Sequence, residues 1–542
     1  MPDGGGVHLT FGADPATSMV VSWLTDGPVS RPMVRFEPVD PDAAEPGEAY
    51  ATTSTYRDAA RRRVHVQHAT LVGLRPGVHY RYEIFPTPGG AEPPTSQRPS
   101  PAGTLTGDFR TAPRTGGRDA AAPDPSGTDA GGTEPGGAAF TLTCFGDHGT
   151  DHEDDPYGTP ASGAVVAAVD MLDPLFNFAL GDLTYASLRR DPAEVWAQWF
   201  RMIAPSASRR PWMPVAGNHE SERGLGRFGL DSYQAYFQLP GNGAGADFQD
   251  LWYAFTVGRV RFVVLFGEDA CYQEHGLVYL RGFSGGRQTA WLEQTLRAAR
   301  ADPDIDWVIV AMHQVAMSTA AYHNGGDLGL REEWLPLFDR YEVDLVLCGH
   351  EHHYERTHPV RGVIPGSGLL TPRPVVPANT TAAPADAPVS PTAPTVPMAA
   401  RKANPPGLAL AVEAVDTTSG TVHITIGTGG SSSPSTGALF HPPAGQVVVQ
   451  PELPNPADVP GRRRFGKNPV VRRRTIHVTE GAPWLAARST DHPYAFAALR
   501  VEPGEPGGTT TIRLTVHDSL TPGEPPFDEV LFTRPRRDTR PD

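Results

Sequence analysis

The stretch VDLVLCGHEHHYER, residues 343–356, joins an apolar run to a histidine-rich end. The run 343–348 predicts a buried strand, and His350 and His352 follow it at alternate positions. Residues i and i+2 leave an extended backbone on the same side, so their imidazole nitrogens can converge on one site. Neutral imidazole is the commonest protein metal ligand. The stretch therefore predicts a metal site where a strand ends, with a solvated histidine-rich loop as the alternative.

Further blocks of possible metal ligands follow other predicted strands. In chain order the blocks are GDHG (146–149), GDLTY (181–185), GNHE (217–220), VAMH (310–313) and GHEH (349–352). A glycine beside a ligand lets the backbone turn sharply and approach a site closely. One such match means little, but five in order at strand ends indicate one shared site in an α/β domain.

The set of candidate ligands is too large for one ion. Its members are Asp147, Asp182, Tyr185, Asn218, His313, His350 and His352. One divalent ion with an open position does not use this many side chains. Two ions that share a carboxylate account for the set. Such pairs, about 3.5 to 4 Å apart, can clamp a phosphoryl oxygen and activate water, so a two-metal hydrolase is predicted.

Short alternating segments precede these blocks. Between residues 7 and 111 they are separated by clusters of glycine, proline and aspartate, and no helical periodicity intervenes. This pattern predicts a β-sandwich of about 100 residues. The sequence LRPG (74–77) before Tyr80 resembles the corner of fibronectin type III domains. We therefore expect an all-β, fibronectin III-like sandwich in residues 1–112 and a flexible linker in residues 113–137.

From residue 138 onward, predicted strands alternate with predicted helices. The strands include 140–145, 176–180, 260–266, 307–312, 421–426, 495–501 and 511–516, and the helices include 161–172, 288–299 and 332–341. A further helix is expected after Asp191 as N-cap, with Pro192 in its first turn. The alternation predicts a layered α/β sandwich with mixed sheets over residues 138–535. Within it, the Pro/Thr/Ala-rich segment 366–407 is expected to be an extended or disordered insertion.

The composition argues against several classes of protein. The 542 residues include 46 Lys and Arg against 61 Asp and Glu, a net charge of −15, so a nucleic-acid binder is not expected. The three cysteines, Cys144, Cys271 and Cys348, imply neither a disulfide framework nor a cysteine-based zinc site. No apolar run of about 18 residues and no export signal are visible, so no membrane span is expected. The sequence does not indicate an oligomeric state.

The five blocks resemble those of the purple acid phosphatase family, within the calcineurin-like metallophosphoesterases. That family has the pattern GDxG, GDxxY, GNH[DE], VxxH and GHxH, and all five elements stand unchanged here. A fibronectin-like sandwich before the catalytic domain is similar to the plant-type and bacterial members. The resemblance implies an acid phosphatase acting on small phosphorylated substrates. It also implies a binuclear centre of Fe(III) with a divalent ion, Zn, Mn or Fe, and an extracytoplasmic or secreted location.

The resemblance also implies a role for each candidate ligand. The ferric ion would be held by Asp147, Asp182, Tyr185 and His352, and the second ion by Asp182 as bridge with Asn218, His313 and His350. Tyr185 indicates iron, because a phenolate suits Fe(III) and gives the family its colour. His350 and His352 would therefore serve different ions.

Two further histidines are candidates for catalysis. His219 follows Asn218 directly and could hydrogen-bond a phosphate oxygen. His323 resembles the histidine that protonates the leaving group, with a solvated histidine in a glycine-rich loop as the alternative. The remaining candidates are expected to support the ligands or lie at the surface: His148, His353 and His358.

These features predict hydrolysis of phosphate monoesters with a metal-bound hydroxide as nucleophile. A phosphodiesterase or a nucleotide or phytate phosphohydrolase on the same site is the first alternative, although Glu220 after the GNH block favours the acid phosphatases. An extracellular binding or adhesion protein with a vestigial metal site is the second. The intact ligand blocks argue against it.

Overall fold

The computed structural model describes most of the chain. The described residues are 5–85, 105–114, 138–222, 225, 229–273, 279–321, 323–375, 412–450, 463–465, 468–470 and 476–537. Of the linker predicted for 113–137, the described residues include only 113 and 114. The second part of the chain begins at residue 138. The insertion predicted for 366–407 lies outside them from residue 376.

The first part of the chain forms two antiparallel four-stranded sheets. The strands are β1 (His8–Phe11), β2 (Ser18–Thr25), β3 (Met33–Pro38), β4 (Gly47–Tyr50), β5 (Thr52–Arg57), β6 (Arg63–Val72), β7 (His79–Phe85) and β8 (Leu105–Arg110). Their orders are β1-β2-β6-β5 and β4-β3-β7-β8. The Arg75 amide donates a hydrogen bond of 2.9 Å to the Tyr80 hydroxyl, which closes the corner at LRPG. The predicted β-sandwich is confirmed.

The second part contains two seven-stranded sheets and several small ones. The strands are β9 (Phe140–Phe145), β10 (Phe176–Ala179), β11 (Trp212–Pro214), β12 (Tyr253–Val257), β13 (Val260–Leu265), β14 (Trp307–Met312), β15 (Gly326–Asp327), β16 (Leu345–Cys348), β17 (Tyr354–Thr357), β18 (Val360–Val363), β19 (Pro372–Pro374), β20 (Glu413–Asp416), β21 (Val422–Ile426), β22 (Ala444–Val449), β23 (Arg463–Phe465), β24 (Asn468–Val470), β25 (Ile476–Gly481), β26 (Leu485–Arg488), β27 (Ala495–Glu502), β28 (Thr509–Asp518) and β29 (Asp528–Pro535).

Both large sheets are mixed. The first has the order β11-β10-β9-β27-β28-β29-β20, in which β9 pairs in parallel with β10 and antiparallel with β27. The second has the order β12-β13-β14-β16-β21-β17-β26, in which β13, β14, β16 and β21 are parallel neighbours. The predicted layered α/β fold with mixed sheets is confirmed.

Strand β14 shows why its sequence is apolar throughout. Ile309 and Ala311 belong to the hydrophobic cluster between the two large sheets, where Phe178 and Phe262 pack with ring centroids 5.6 Å apart. Val308 and Val310, on the other face of the strand, belong to the cluster under the helices. A strand covered on both faces needs no polar alternation.

Helices cover the outer faces of the sheets. They are α1 (Pro160–Asp170), α2 (Pro192–Ala207), α3 (Asp231–Tyr236), α4 (Arg287–Ala301), α5 (Leu328–Glu333) and α6 (Leu335–Arg340), and short 3₁₀ turns occupy Ala186–Leu188, Asn218–Glu220, Gly267–Asp269 and Thr417–Ser419. No helix in the described ranges combines the length and the apolar character needed to cross a membrane.

Two details of the helices differ from expectation. Asp191 occupies the N-cap position of α2 and Pro192 its first turn, but the Asp191 side chain makes no capping hydrogen bond. The single helix predicted for 332–341 is divided at Trp334 into α5 and α6. Pro336 explains the division, because proline lacks the amide hydrogen and its ring clashes with the preceding turn.

The start of the predicted insertion is ordered. Strand β19 pairs with β18, and the Arg331 guanidinium donates to the Leu369 carbonyl at 2.9 Å. The Thr371 hydroxyl also hydrogen-bonds the Glu480 carboxylate. Residues 366–375 are therefore part of the packed domain, contrary to the expected start of an extended or disordered segment at 366.

The sandwich and the α/β layers share one hydrophobic cluster. The Phe11 ring lies 5.4 Å from the Phe176 ring across the boundary, and the Tyr56 hydroxyl donates to the Tyr236 hydroxyl at 2.8 Å. A parallel bridge joins Leu9 of β1 to Pro211 just before β11. These contacts fix the sandwich against the edge of the first large sheet.

Candidate metal centre

Parallel strands of both large sheets lead into one site. The candidate ligands that follow them are Asp147 after β9, Asp182 after β10, Asn218 after β11, His313 after β14 and His350 after β16. All five side chains are buried. The carboxyl ends of the strands thus bring together residues that lie far apart in sequence.

The first donor group consists of Asp147, Tyr185 and His352. Its three ligand atoms form a triangle: Asp147 Oδ1 lies 3.1 Å from His352 Nε2 and 3.4 Å from the Tyr185 hydroxyl, and the last two atoms are 3.3 Å apart. This places a carboxylate, a phenol and an imidazole around one point.

The second donor group consists of Asn218, His313 and His350. His313 Nε2 lies 3.1 Å from Asn218 Oδ1 and 3.3 Å from His350 Nδ1. Asp182 Oδ2 is 3.2 Å from the same His313 nitrogen, and ligand atoms of Asp182, His313 and His350 all lie within 4.8 Å of one another. The structure therefore brings all seven predicted ligands together, with His350 and His352 in different groups.

The spacing of the ligand atoms fits coordination of metal ions. With bonds of about 2.1 Å, neighbouring ligand atoms are about 3.0 Å apart in an octahedron and about 3.4 Å in a tetrahedron. The distances within both donor groups match this range. The residues present thus fit one ion in each group.

Hydrogen bonds orient the three imidazoles toward these points. In each ring the nitrogen that is not a candidate ligand donates to a neighbouring oxygen. The pairs are His313 Nδ1 with the Leu180 carbonyl (2.7 Å), His350 Nε2 with Gln273 Oε1 (2.9 Å) and His352 Nδ1 with the Ser433 carbonyl (2.8 Å). Each ring therefore presents its remaining nitrogen to its donor group.

Charge in the site favours cations. Burial lowers the pKa of His313. The Asp182 and Asp147 carboxylates together outweigh burial and raise the pKa of His313 to about 10. Burial, together with the same two carboxylates, raises the pKa of Tyr185 well above its ordinary value. A phenolate at Tyr185 therefore requires a strong Lewis acid beside it.

The loops that carry the ligands are held by Glu220. Its carboxylate accepts hydrogen bonds from the amides of Gly217 (2.7 Å), Asp182 (2.9 Å) and Leu183 (2.9 Å). Burial and the charge of Asp182 raise its pKa to about 8. In the sequence Glu220 stands out only as a family marker, whereas in the structure it joins two ligand loops.

Several other supporting residues carry no signal in the sequence. Gln314 Nε2 donates to Asn218 Oδ1 at 3.3 Å and to the Glu268 carboxylate, and Gln273 fixes His350. Gln273 and Glu268 lie on chain segments without a ligand block. Only the fold brings them to the site.

The two candidate catalytic histidines flank the first donor group. The His219 ring lies 4.8 Å from the Tyr185 ring, and its Nδ1 is 3.0 Å from the Ser187 hydroxyl. The His323 ring lies 4.9 Å from the His352 ring. Both imidazoles thus border the same half of the site.

The other histidines lie in supporting positions. His148 is buried, accepts from Trp199 Nε1 at 3.1 Å and donates to the Ser162 carbonyl at 2.9 Å. Burial lowers its pKa to about 4. His353 is buried against the Ser435 hydroxyl at 3.0 Å, and His358 is half-buried.

Comparison with known proteins identifies the class. Residues 140–354 match the family model for calcineurin-like phosphoesterases, and residues 5–100 match the model for the purple acid phosphatase N-terminal domain. A purple acid phosphatase from yellow lupin seeds has a similar fold, with a TM-score of 0.61 and 19% identity, covering 99% of this chain and 75% of that one. Together with the two-sheet architecture, these matches define a calcineurin-like phosphoesterase.

Proteins with similar sequences assign the chain to one family within this class. An uncharacterised protein of Mycobacterium tuberculosis is 39% identical over 99% of this chain and 88% of its own length. Human acid phosphatase type 7 is 27% identical over 65% of this chain and 70% of its own length. The chain belongs to the purple acid phosphatase family, which confirms the resemblance seen in the sequence. Membership of this phosphoesterase family supports a hydrolase.

Proposed function

We propose that the protein is an acid phosphatase that hydrolyses phosphate monoesters at a binuclear metal centre. The observation that carries the proposal is the division of the ligands into two donor groups beside Asp182. We assign Fe(III) to the first donor group, because a phenolate suits this ion, and Zn, Mn or Fe as a divalent ion to the second.

A relative supports the choice of ions. The Arabidopsis thaliana protein named Fe(3+)-Zn(2+) purple acid phosphatase 12 is 23% identical over 66% of this chain and 66% of its own length. When bound, such a pair supplies Lewis acidity toward a phosphoryl oxygen and toward water. The Asp182 carboxylate, 3.2 Å from His313 Nε2, would be the ligand shared by the two ions.

In the proposed mechanism His219 binds a phosphoryl oxygen. Its Nδ1 lies beside the Ser187 hydroxyl, which can donate to it and leave the proton on Nε2. Its backbone amide donates to Asp182 Oδ1 at 2.8 Å, and its Nε2 lies 3.9 Å from Asp182 Oδ2, so the ring stands beside that carboxylate. A donor held in this way stabilises the charge that grows on the phosphoryl oxygens in the transition state.

His323 protonates the leaving alcohol in this mechanism. The side chain is 26% exposed and its Nδ1 lies 2.6 Å from the Glu351 carboxylate. Nε2 is therefore the atom that remains for the substrate. Proton donation matters most for alcohols that leave poorly, because their oxygen carries the most charge when the P–O bond breaks.

The test combines metal analysis, visible absorption and substrate comparison on the purified chain loaded with iron and zinc. We expect two ions per chain, a violet absorption band, and faster hydrolysis of p-nitrophenyl phosphate than of bis(p-nitrophenyl) phosphate or phytate. A preference for the diester or for phytate would replace the monoesterase with one of those activities. Fully loaded protein that is inert toward all three would overturn the enzyme assignment.

A further inference from the structure

Glu351 stands between two candidate ligands but belongs to neither donor group. It is fully buried, and its carboxylate contacts the loop after β14 rather than the ligand atoms of His350 or His352. Glu351 Oε2 lies 2.6 Å from His323 Nδ1, and Oε1 accepts from the Gly325 amide. The same loop that supplies two metal ligands therefore also holds the candidate proton donor.

Other contacts hold the His323 loop in the same place. Asn324 Nδ2 donates to the His350 carbonyl at 3.2 Å, and Gln446 Nε2 donates to the His323 carbonyl at 2.9 Å. These bonds fix the backbone of the loop. The rotation of the His323 ring is set by its contacts with Glu351, with Asn324 Nδ2, which lies 3.2 Å from Nδ1, and with the His352 ring.

The Glu351 contact determines which ring nitrogen meets the substrate. A carboxylate accepts only, so the 2.6 Å contact with Glu351 Oε2 places the proton on His323 Nδ1, and Asn324 Nδ2, 3.2 Å from the same nitrogen, donates to the His350 carbonyl instead. Such charge-assisted bonds are short and about twice as strong as neutral ones. With Nδ1 held inward, Nε2 is the nitrogen directed away from Glu351.

We propose that Glu351 is a positioning residue that directs His323 Nε2 to the leaving oxygen, an inference that rests on the proposed function. As the P–O bond to the alcohol breaks, the leaving oxygen takes its electron pair and the proton from Nε2. The ring becomes neutral and keeps its Nδ1–H bond to Glu351. The hydrolysing water supplies OH to phosphorus, and its other proton restores Nε2–H through solvent.

The experiment compares Glu351→Ala and Glu351→Gln with a matched control, Glu355→Gln. Glu355 is a buried carboxylate on the following strand, and it accepts from the Thr319 amide and hydroxyl instead of His323. We measure kcat and KM with a poor leaving group, glycerol phosphate, and a good one, p-nitrophenyl phosphate. Metal content and the visible spectrum show whether the neighbouring ligands remain in place.

We expect Glu351→Ala to lower kcat about 10- to 100-fold for glycerol phosphate and less than about threefold for p-nitrophenyl phosphate, with metal content unchanged. Glu351→Gln, whose amide oxygen still accepts from Nδ1, should recover part of the loss. Adding His323→Ala to Glu351→Ala should cause little further loss. The Glu355→Gln control should show no difference between the two substrates.

The outcomes separate this inference from the function on which it rests. Equal losses on both substrates with metals retained, or losses that add to those of His323→Ala, would overturn the positioning role while the phosphatase stands. Wild-type protein without activity on either ester would refute the proposed function itself.

Discussion

Four of the candidate ligands have a left-handed backbone: Asp147 (φ 58°), Asp182 (φ 51°), Tyr185 (φ 53°) and His350 (φ 68°). For residues other than glycine this conformation costs on the order of 1–3 kcal/mol each. Hydrogen bonding within the site offsets part of this cost, since the His350 amide donates to Asp147 Oδ2 at 2.7 Å. The ligand loops thus accept strain in order to direct their side chains at one point.

Single substitutions should separate the two ions. His352→Ala removes a member of the first donor group and should abolish the violet band, whereas His350→Ala should lose the divalent ion and keep the colour. Both should lower kcat by more than about 100-fold, because loss of even a residue that only supports a metal ligand typically costs about 10- to 100-fold. Metal analysis and visible absorption provide the measurement.

His353→Ala is the matched control for these variants. His353 is the next residue along, but its ring contacts Ser435 and not the ligand atoms. It should keep both ions. Equal bleaching by the His350 and His352 variants would contradict the assignment to separate ions.

Asp182→Ala tests the bridge. Removing the carboxylate that lies beside His313 and the His219 amide should release both ions and nearly all activity. The measurement is the metal content after gel filtration. Retention of two ions per chain would show that Asp182 does not bridge.

Glu222 should make stability depend on pH. Burial raises its pKa to about 7, although Trp196 Nε1 donates to it at 2.6 Å. A carboxyl with a raised pKa binds its proton more tightly in the folded state than in the unfolded state. The free energy of unfolding therefore falls as the pH rises from about 4.3, the usual pKa of a glutamate, to about 7. Above that window the loss is complete and amounts to roughly 2–4 kcal/mol.

Glu222→Gln should therefore be more stable than wild type at pH 8 and no more stable at pH 4. The neutral amide keeps an acceptor for Trp196 and cannot ionise. Denaturant unfolding of both proteins at the two pH values gives the difference. A difference that does not change with pH would refute the titration.

At the level of elements, the packing of the strand ends limits what can stand at Gly349. A Cβ there would lie 2.7 Å from the Leu180 carbonyl, 2.9 Å from Asp147 Oδ2 and 3.0 Å from His313 Nδ1. Two of these neighbours are candidate ligands. The ends of β9, β10, β14 and β16 therefore meet with no room for a side chain.

Gly349→Ala should separate these strand ends. We expect loss of both ions and a decrease of about 1–3 kcal/mol in the free energy of unfolding, the range for an overpacked site. Metal analysis and thermal unfolding measure the two effects. Gly437→Ala is the control, because a Cβ at Gly437 meets nothing within 4 Å, and it should leave both quantities unchanged.

Strands with apolar or alternating sequences could be predicted, and polar ones could not. The predictions for β9, β14 and β28 match their positions because burial leaves a clear pattern. Strands β4 and β5 were missed because they are largely exposed and read GEAY and TTSTYR. Residues 64–67 and 69–72 read as two short strands separated by a polar histidine, but they form one strand, β6, because His68 is buried and bonds to Ser22 and Ala235.

The candidate site was predictable where a residue belonged to a ligand block. Asp147 and His350 were identified in this way, and their role as ligands stays a prediction. The partner of His323 was not foreseen, because Glu351 reads as a spacer between two histidines. Gln273 was not foreseen either, since its contact with His350 joins segments 77 residues apart.

For the whole molecule, the shared core predicts cooperative unfolding of the sandwich with the α/β layers. Phe11→Ala should remove contacts with Phe176 and Phe255 and cost about 3–5 kcal/mol. Differential scanning calorimetry should show one transition that shifts as a whole. Two transitions, of which only one shifts, would show that the parts unfold separately.

The bridge between Leu9 and Pro211 has a consequence for solubility. Strand β11 is the outermost strand of the first large sheet, and an uncovered edge is a template on which other chains can pair and aggregate. Strand β1 lies along this edge, where the Phe11 amide contacts Met213 Sδ at 3.2 Å. The sandwich thus covers this edge and prevents it from pairing with other chains. Variants that loosen the sandwich should therefore aggregate before they lose the proposed catalytic activity.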